Sequence, residues 1–240
     1  MDESGLPTTV VMCCPLPTSL TAAEVEACLG AGSRTAVQIT WVVPVERLSM
    51  VSKRLGAAGA RSTLAIAIPS EVVGSRQSLR HLLSQARSEV AGLDAAVIGG
   101  PLSAESRRQF VESGIRIVCR DRVDDARGGT RRPAPPGWPC RSLLWGLWEV
   151  ARVREDRPTG LRRFLPWLPL ARPEQGALAV LDAGGQGVSA EAIRRHLERW
   201  QSWGQHRHAT GTVFATLSDL PALIAGAARA PVGGSVLRAA

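Results

Sequence analysis

The sequence predicts an α/β protein assembled from repeated strand and helix units. Three observations carry that reading. Short β-branched runs recur along the chain, apolar stripes at helical spacing follow them, and turn residues separate the two. Parallel strands need crossover helices, so alternation this regular implies a parallel sheet. The sheet is then either curled into a distorted (β/α) barrel or left open as a doubly wound sheet, and periodicity alone does not choose between them.

The first strand is expected from Thr9 to Cys14. Thr21-Ala22-Ala23-Glu24 follows with the spacing of a capping box, in which hydroxyl and carboxylate satisfy each other's backbone N–H at a helix start. Thr35 to Val43 reads as a buried β-branched strand, and Leu48, Val51 and Leu55 line a helix that stops at Gly56 and Gly59. A third strand spans Ser62 to Ile68. Beyond the Pro69 turn, Leu79, Leu82, Leu83, Ala86 and Val90 form the clearest amphipathic stripe. Ala95 to Ile98 gives a fourth strand, Glu105 to Glu112 a short helix ending at Gly114, and Ile115 to Cys119 a fifth strand.

The pattern then breaks. Gly128-Gly129 and Pro133, Pro135, Pro136 and Pro139 support neither a continuous helix nor a central strand, so 121–142 is expected to be a long irregular loop. Leu143 to Val150 resumes as an apolar strand, and an arginine- and proline-rich connection occupies 152–176. Ala177 to Leu181 is a further strand. Ile193, Leu197 and Trp200 mark a helix, Thr212 to Ala215 a last strand, Leu220 to Ala228 a last helix, and the tail from 231 is expected to fray.

The 240 residues are expected to fold as a single α/β domain, since 45% apolar and 21% charged residues are ordinary for a buried core. No apolar run approaches the ~20 residues that span a bilayer, and Met1-Asp2-Glu3 lacks the basic start of a secretory signal, so no membrane partner and a cytoplasmic location are expected. Five cysteines make an odd set without a paired framework and read as reduced thiols. The net charge of +8 points to an anionic partner less strongly than its size suggests. Lys53 is the only lysine and tyrosine is absent, a compositional bias that enriches arginine without any partner. Oligomeric state is not encoded in any of these features.

The element order, with Gln38-Ile39-Thr40-Trp41-Val42-Val43-Pro44 early and Val213-Phe214-Ala215-Thr216-Leu217-Ser218-Asp219-Leu220 late, resembles the polysaccharide deacetylase or NodB-homology family from about Thr9 to Ala228. Ala58-Gly59-Ala60 sits where that family has a Gly-His-Glu-like turn. The resemblance implies a distorted (β/α) barrel of the carbohydrate deacetylase type. It also implies an Asp-Asp pair ending the first strand and two histidines after the third, holding a divalent metal and a general base. Here those places read Cys13-Cys14-Pro15 and Pro69-Ser70-Glu71-Val72-Val73. The family's late histidine and its arginine after the fourth strand are replaced by Ala179-Val180-Leu181-Asp182-Ala183 and Ile98-Gly99-Gly100-Pro101. All four departures remove groups that would grip or assist a metal, so neither metal nor cofactor is expected.

In a parallel α/β fold, ligands bind at the carboxyl ends of the strands. That rule nominates Cys13, Cys14, Ser70, Glu71, Asp121, Glu149 and Asp182. Glu71, Asp121 and Asp182 are candidate acids, bases or replacement ligands, and Cys14, Ser70, Trp138, Arg141 and Glu149 are candidate binding residues. Trp138, Trp145 and Trp148 interleaved with Arg127, Arg131, Arg132 and Arg141 suit a carbohydrate or a small anionic ligand, because aromatic faces stack on rings and guanidinium groups pair with anions. The plainer reading of each is structural. Buried cysteine is commonly inert, tryptophan commonly packs beside strands, and Asp121, Asp124 and Asp125 lie among Arg120, Arg122 and Arg127 as a solvated charge cluster. His206 and His208 read as a polar turn, and His81 and His196 as helix residues. Three functions follow: a non-catalytic ligand-binding or interaction domain, which is preferred; a hydrolase of N-acetyl amide bonds with replaced catalytic groups; and, less favoured, a nucleic-acid binder acting through the arginine-rich loop.

Overall fold

The computed structural model describes residues 9–57, 62–121, 140–154, 178–182, 189–208 and 213–223, with the backbone alone at 121, 141, 144, 151–154, 178–182 and 203–208. Its strands are β1 (Thr9–Pro15), β2 (Ile39–Val43), β3 (Thr63–Ile68), β4 (Ala95–Ile98), β5 (Ile117–Asp121), β6 (Cys140–Ser142), β7 (Trp148–Arg154), β8 (Leu178–Asp182) and β9 (Val213–Ala215). Its helices are α1 (Ala22–Ser33), α2 (Leu48–Ala57), α3 (Ser70–Val73), α4 (Arg76–Glu89), α5 (Ala104–Glu112) and α6 (Ala190–His208).

The parallel pairings run from β1 through β2, β3, β4, β5, β7 and β8 and return to β1, which selects the curled barrel over the doubly wound sheet. The barrel is distorted at β1. Met12 to Pro15 pair with β2, while Thr9 to Val11 on the same strand pair with β9, so β9 wedges into the seam at the amino end.

Strand alternation divides the core into two layers. Val10, Met12 and Cys14 of β1, Ile39, Trp41 and Val43 of β2, and Ala96 and Ile98 of β4 pack outward against the helices. Val11 and Cys13, Val42, Ala65, Ala95, Val97, Ile117 and Cys119 fill the barrel interior. Strands buried on both faces read as continuous apolar runs, which is why the early strands were visible in the sequence. The alanines on β3 and β4 are the small residues that a tightly curled interior admits.

The helices follow the same local logic. Thr21 and Glu24 form the expected capping box, Glu24 Oε2 accepting from Thr21 N–H at 2.7 Å and Thr21 Oγ1 from Glu24 N–H at 3.2 Å. Leu79, Leu83 and Ala86 of α4 are buried, as their spacing requires. After β9, Leu217 and Leu220 enter the interior cluster. Leu217 N–H donates to Thr40 Oγ1 at 3.0 Å, and Ser218 Oγ donates to Asp94 Oδ1 at 2.7 Å. Thr40 and Asp94 belong to the amino ends of β2 and β4, so this segment plugs the amino end of the barrel.

Several expected boundaries shift. Leu143 to Val150 is not one strand. Leu143 N–H donates to Leu147 O at 2.6 Å and closes a turn in which Trp145 (φ 63°) and Gly146 (φ 78°) are left-handed. β6 and β7 flank this turn as an antiparallel hairpin, which places Cys140–Ser142 in a strand rather than in the irregular loop. β7 continues to Arg154, past the expected start of the second irregular stretch, and His206 and His208 lie in the last turn of α6 rather than in a separate turn. The remainder of both stretches and the tail from 231 lie outside the described residues.

Candidate ligand site at the barrel mouth

With the amino end plugged, the carboxyl end is the mouth. Proline ends or follows each of the first four strands there, as Pro15, Pro44, Pro69 and Pro101. Proline has no N–H to continue a ladder, so each strand stops cleanly and the chain turns outward to its helix. Leu16 N–H donates to Val42 O at 2.9 Å and ties the β1 exit to β2.

The exits of β3 and β4 touch. Ser70 starts α3, and its hydroxyl donates to Glu71 Oε2 at 3.2 Å with both side chains exposed. Ser70 lies against Gly99 and Gly100, where an added Cβ would stand 3.4 Å from Ser70 N and 3.3 Å from Ser70 Cβ respectively. Gly100 also has φ +105°, a conformation that side chains rarely adopt. The glycine pair, where the resemblance leads one to expect arginine, is therefore explained by close packing of two turns.

Asp121 ends β5 in register with Arg152, and Asp182 ends β8 in register with Cys13. Together with Glu71 after β3, the three nominated carboxylates therefore belong to strand exits at one end of the barrel. Ser70 joins them there.

The other nominated residues lie elsewhere. Cys14 is fully buried in the layer between sheet and helices, because it alternates with Cys13, which faces the interior. Glu149 is not at a strand exit. The strand starts at Trp148, so Glu149 is its second residue, in register with Val118 and Arg141 near the amino end. Its carboxylate is 4% exposed and paired with Arg120 Nε, whose side chain is 30% exposed. The apolar run from Leu143 had concealed the turn that resets this strand. Arg141 shares that amino-end position, and Trp138 lies outside the described residues. Trp145, read in sequence as packed beside a strand, is 65% exposed at the hairpin turn. The Trp-Gly pair was the one local signal for that turn.

Burial disfavours the thiolate at Cys140 and Cys28. Burial, with a smaller contribution from neighbouring Cys119, pushes the Cys140 thiol up to about 12. Burial also raises Cys28.

A divalent metal of the kind the resemblance implies needs imidazole and carboxylate donors at strand exits. The sequence contains four histidines, and all belong to outer helices: His81 to α4, and His196, His206 and His208 to α6. His81 is exposed and His196 half-buried, its ring 6.3 Å from that of Trp200. Among the described residues no three His, Cys, Asp or Glu side chains converge as a metal site. The donor set does not fit an imidazole-held metal at the mouth, and no catalytic step is routed through one.

No helix among the described residues is long and apolar enough to cross a membrane. No family profile matches the sequence, and comparison with curated proteins finds no match. Among solved structures, a proposed polysaccharide deacetylase involved in O-antigen biosynthesis from Bordetella bronchiseptica aligns with TM-score 0.50 and 12% identity over 90% of each chain. A designed cube-shaped protein cage aligns at TM-score 0.36 with 11% identity over 93% of this chain and 82% of its own, too little to inform the fold. The curled parallel barrel thus resembles a polysaccharide deacetylase in fold over nine-tenths of this chain.

Proposed function

We infer that this chain is a deacetylase-fold domain that binds a ligand at its barrel mouth and does not carry out metal-dependent amide hydrolysis. The observation that supports this reading is the location of its imidazoles, all four on α4 and α6. Metal-dependent hydrolysis of an N-acetyl group needs a cation that polarises the carbonyl and lowers the pKa of bound water. The exits of β1 and β3 offer instead Cys13-Cys14-Pro15 and Pro69-Ser70-Glu71. The Ser70 hydroxyl and Glu71 carboxylate are suited to hydrogen bonding hydroxyl or amide groups, so a carbohydrate is the ligand class that fits best. The arginine surplus keeps a small anion as the next choice.

The test is to incubate the protein with N-acetylglucosamine oligomers and added zinc, cobalt or nickel, measuring released acetate and, separately, binding by calorimetry. Binding without acetate release is expected. Metal-dependent release that disappears on chelation overturns the reading.

A second reading has one observation in its favour: Glu71, Asp121 and Asp182 all belong to strand exits at the same end. A carboxylate-based hydrolase built on them would release acetate and lose that activity in Asp121→Asn and Asp182→Asn.

A further inference from the structure

The register of β5, β7 and β8 brings four charged residues to one face at the mouth. Cys13 belongs to the barrel interior and Asp182 is its register partner, so Asp182 takes an interior-face position. Cys119 and Val150 are a register pair in the same interior layer. Two residues further along, Asp121 and Arg152 pair on that face, and Arg154 follows two beyond Arg152. Arg154 is in turn the register partner of Asp182, so the assignment made from β1 and the one made from β5 agree. Across the three strands the order is Asp121, Arg152, Arg154 and Asp182.

This cluster departs from the layer beneath it, where Val11, Val42, Ala65, Val97, Ile117 and Cys119 are all apolar. Charges on such a face carry a desolvation cost that aliphatic residues would avoid. Water reaches the face at this level. Ala67, next to the last residue of β3, packs against the interior layer yet is only half-buried. The two acids offset the two arginines. In sequence, 122–139 and 155–177, which continue from Asp121 and Arg154, add eight arginines against five acids, so the surplus favours an anion over a cation. A single carboxylate suits this balance better than a phosphate dianion, which the two aspartates would repel.

We propose that the mouth takes a sugar bearing one carboxylate, of the uronic acid class, with Arg152 and Arg154 as its anion-binding residues and Asp121 and Asp182 as the cross-strand partners of those arginines. The proposal rests on the reading of the mouth as a carbohydrate site and adds the charge of the sugar. A guanidinium group matches a carboxylate with two parallel hydrogen bonds, which a neutral sugar does not reproduce.

The test is calorimetric titration with glucuronate and with glucose, which differ only in the carboxylate, beside N-acetylglucosamine oligomers and inorganic phosphate. Glucuronate is expected to bind about tenfold tighter than glucose or better, the effect of charge-assisted hydrogen bonds, and to weaken as salt is added. Arg152→Gln and Arg154→Gln should each bring glucuronate down to the affinity of glucose, and Arg154→Lys, which keeps charge without the planar fork, should recover part of the loss. Equal affinity for glucuronate and glucose overturns the proposal, and the parent protein alone decides this if the variants do not fold. Unchanged glucuronate affinity in a folded Arg→Gln variant with a lowered Tm overturns it too, because the arginines are then cross-strand partners only. Phosphate binding as tightly as glucuronate overturns the carboxylate class. Binding of the oligomers without preference for glucuronate defeats this proposal and leaves the carbohydrate reading of the mouth standing, whereas binding of no sugar defeats both.

Discussion

Replacing Glu149 tests whether that residue belongs to the sheet or to a ligand site. Its carboxylate is 4% exposed and paired with Arg120, which retains 30% exposure. Removing one partner of a fully buried pair costs about 3–5 kcal/mol, because the remaining charge stays dry. Arg120 is reached by water, which screens part of that cost, so Glu149→Ala should destabilise by roughly 1.5–3 kcal/mol. For a chain of 240 residues that lowers Tm by about 3–6 °C. Glu149→Gln, which keeps shape while removing charge, separates the ionic contribution from lost volume. A double-mutant cycle with Arg120→Met should give a coupling of about 1 kcal/mol or more, little changed by salt because the carboxylate is buried. Thermal melts and denaturant unfolding read all of these. If Glu149→Ala melts within about 1 °C of the parent yet loses ligand binding, the pair is not structural and the residue belongs to a binding site.

Gly32→Ala would drive a methyl group into the indole of Trp41, itself buried beneath α1, and should cost about 1–3 kcal/mol by overpacking; an unchanged unfolding midpoint would contradict that packing. Hydrogen bonds from the Thr21 backbone and side chain hold Glu24 below the ordinary glutamate range. A depressed carboxylate stabilises above its unfolded pKa and loses that contribution as pH falls through its folded pKa. Thr21→Ala should therefore lower Tm at neutral pH and narrow its gap to the parent below about pH 4, whereas a gap independent of pH would refute the linkage. With its thiol raised to about 12, Cys140 exists as thiolate at only about one part in 10⁴ at pH 8, so iodoacetamide followed by peptide mapping should label it far more slowly than a free thiol. Rapid labelling would contradict its burial.

The elements legible in the sequence are those whose local chemistry agrees with the fold. α1 announced itself through Thr21 and Glu24, and α4 through Leu79, Leu83 and Ala86. The early strands were readable because both their faces are buried. Where two signals conflicted, the reading failed. Leu143 to Val150 is apolar throughout, but Leu143 and Leu147 pack on either side of a left-handed turn rather than along one strand. That error carried Glu149 to the wrong end of the barrel. Ser70, Glu71, Asp121 and Asp182 were placed correctly at strand exits because a parallel fold fixes where its strands end. The side of the sheet on which Cys14 lies depends on single-residue register, which Cys13-Cys14 does not reveal.

The direct test of a mouth without a metal grip is elemental analysis of the purified protein after incubation with zinc and removal of unbound ion, paired with the same measurement on Asp121→Asn and Asp182→Asn. The account predicts well under one equivalent of zinc, equal in parent and variants. One retained equivalent that is lost in either variant would contradict it.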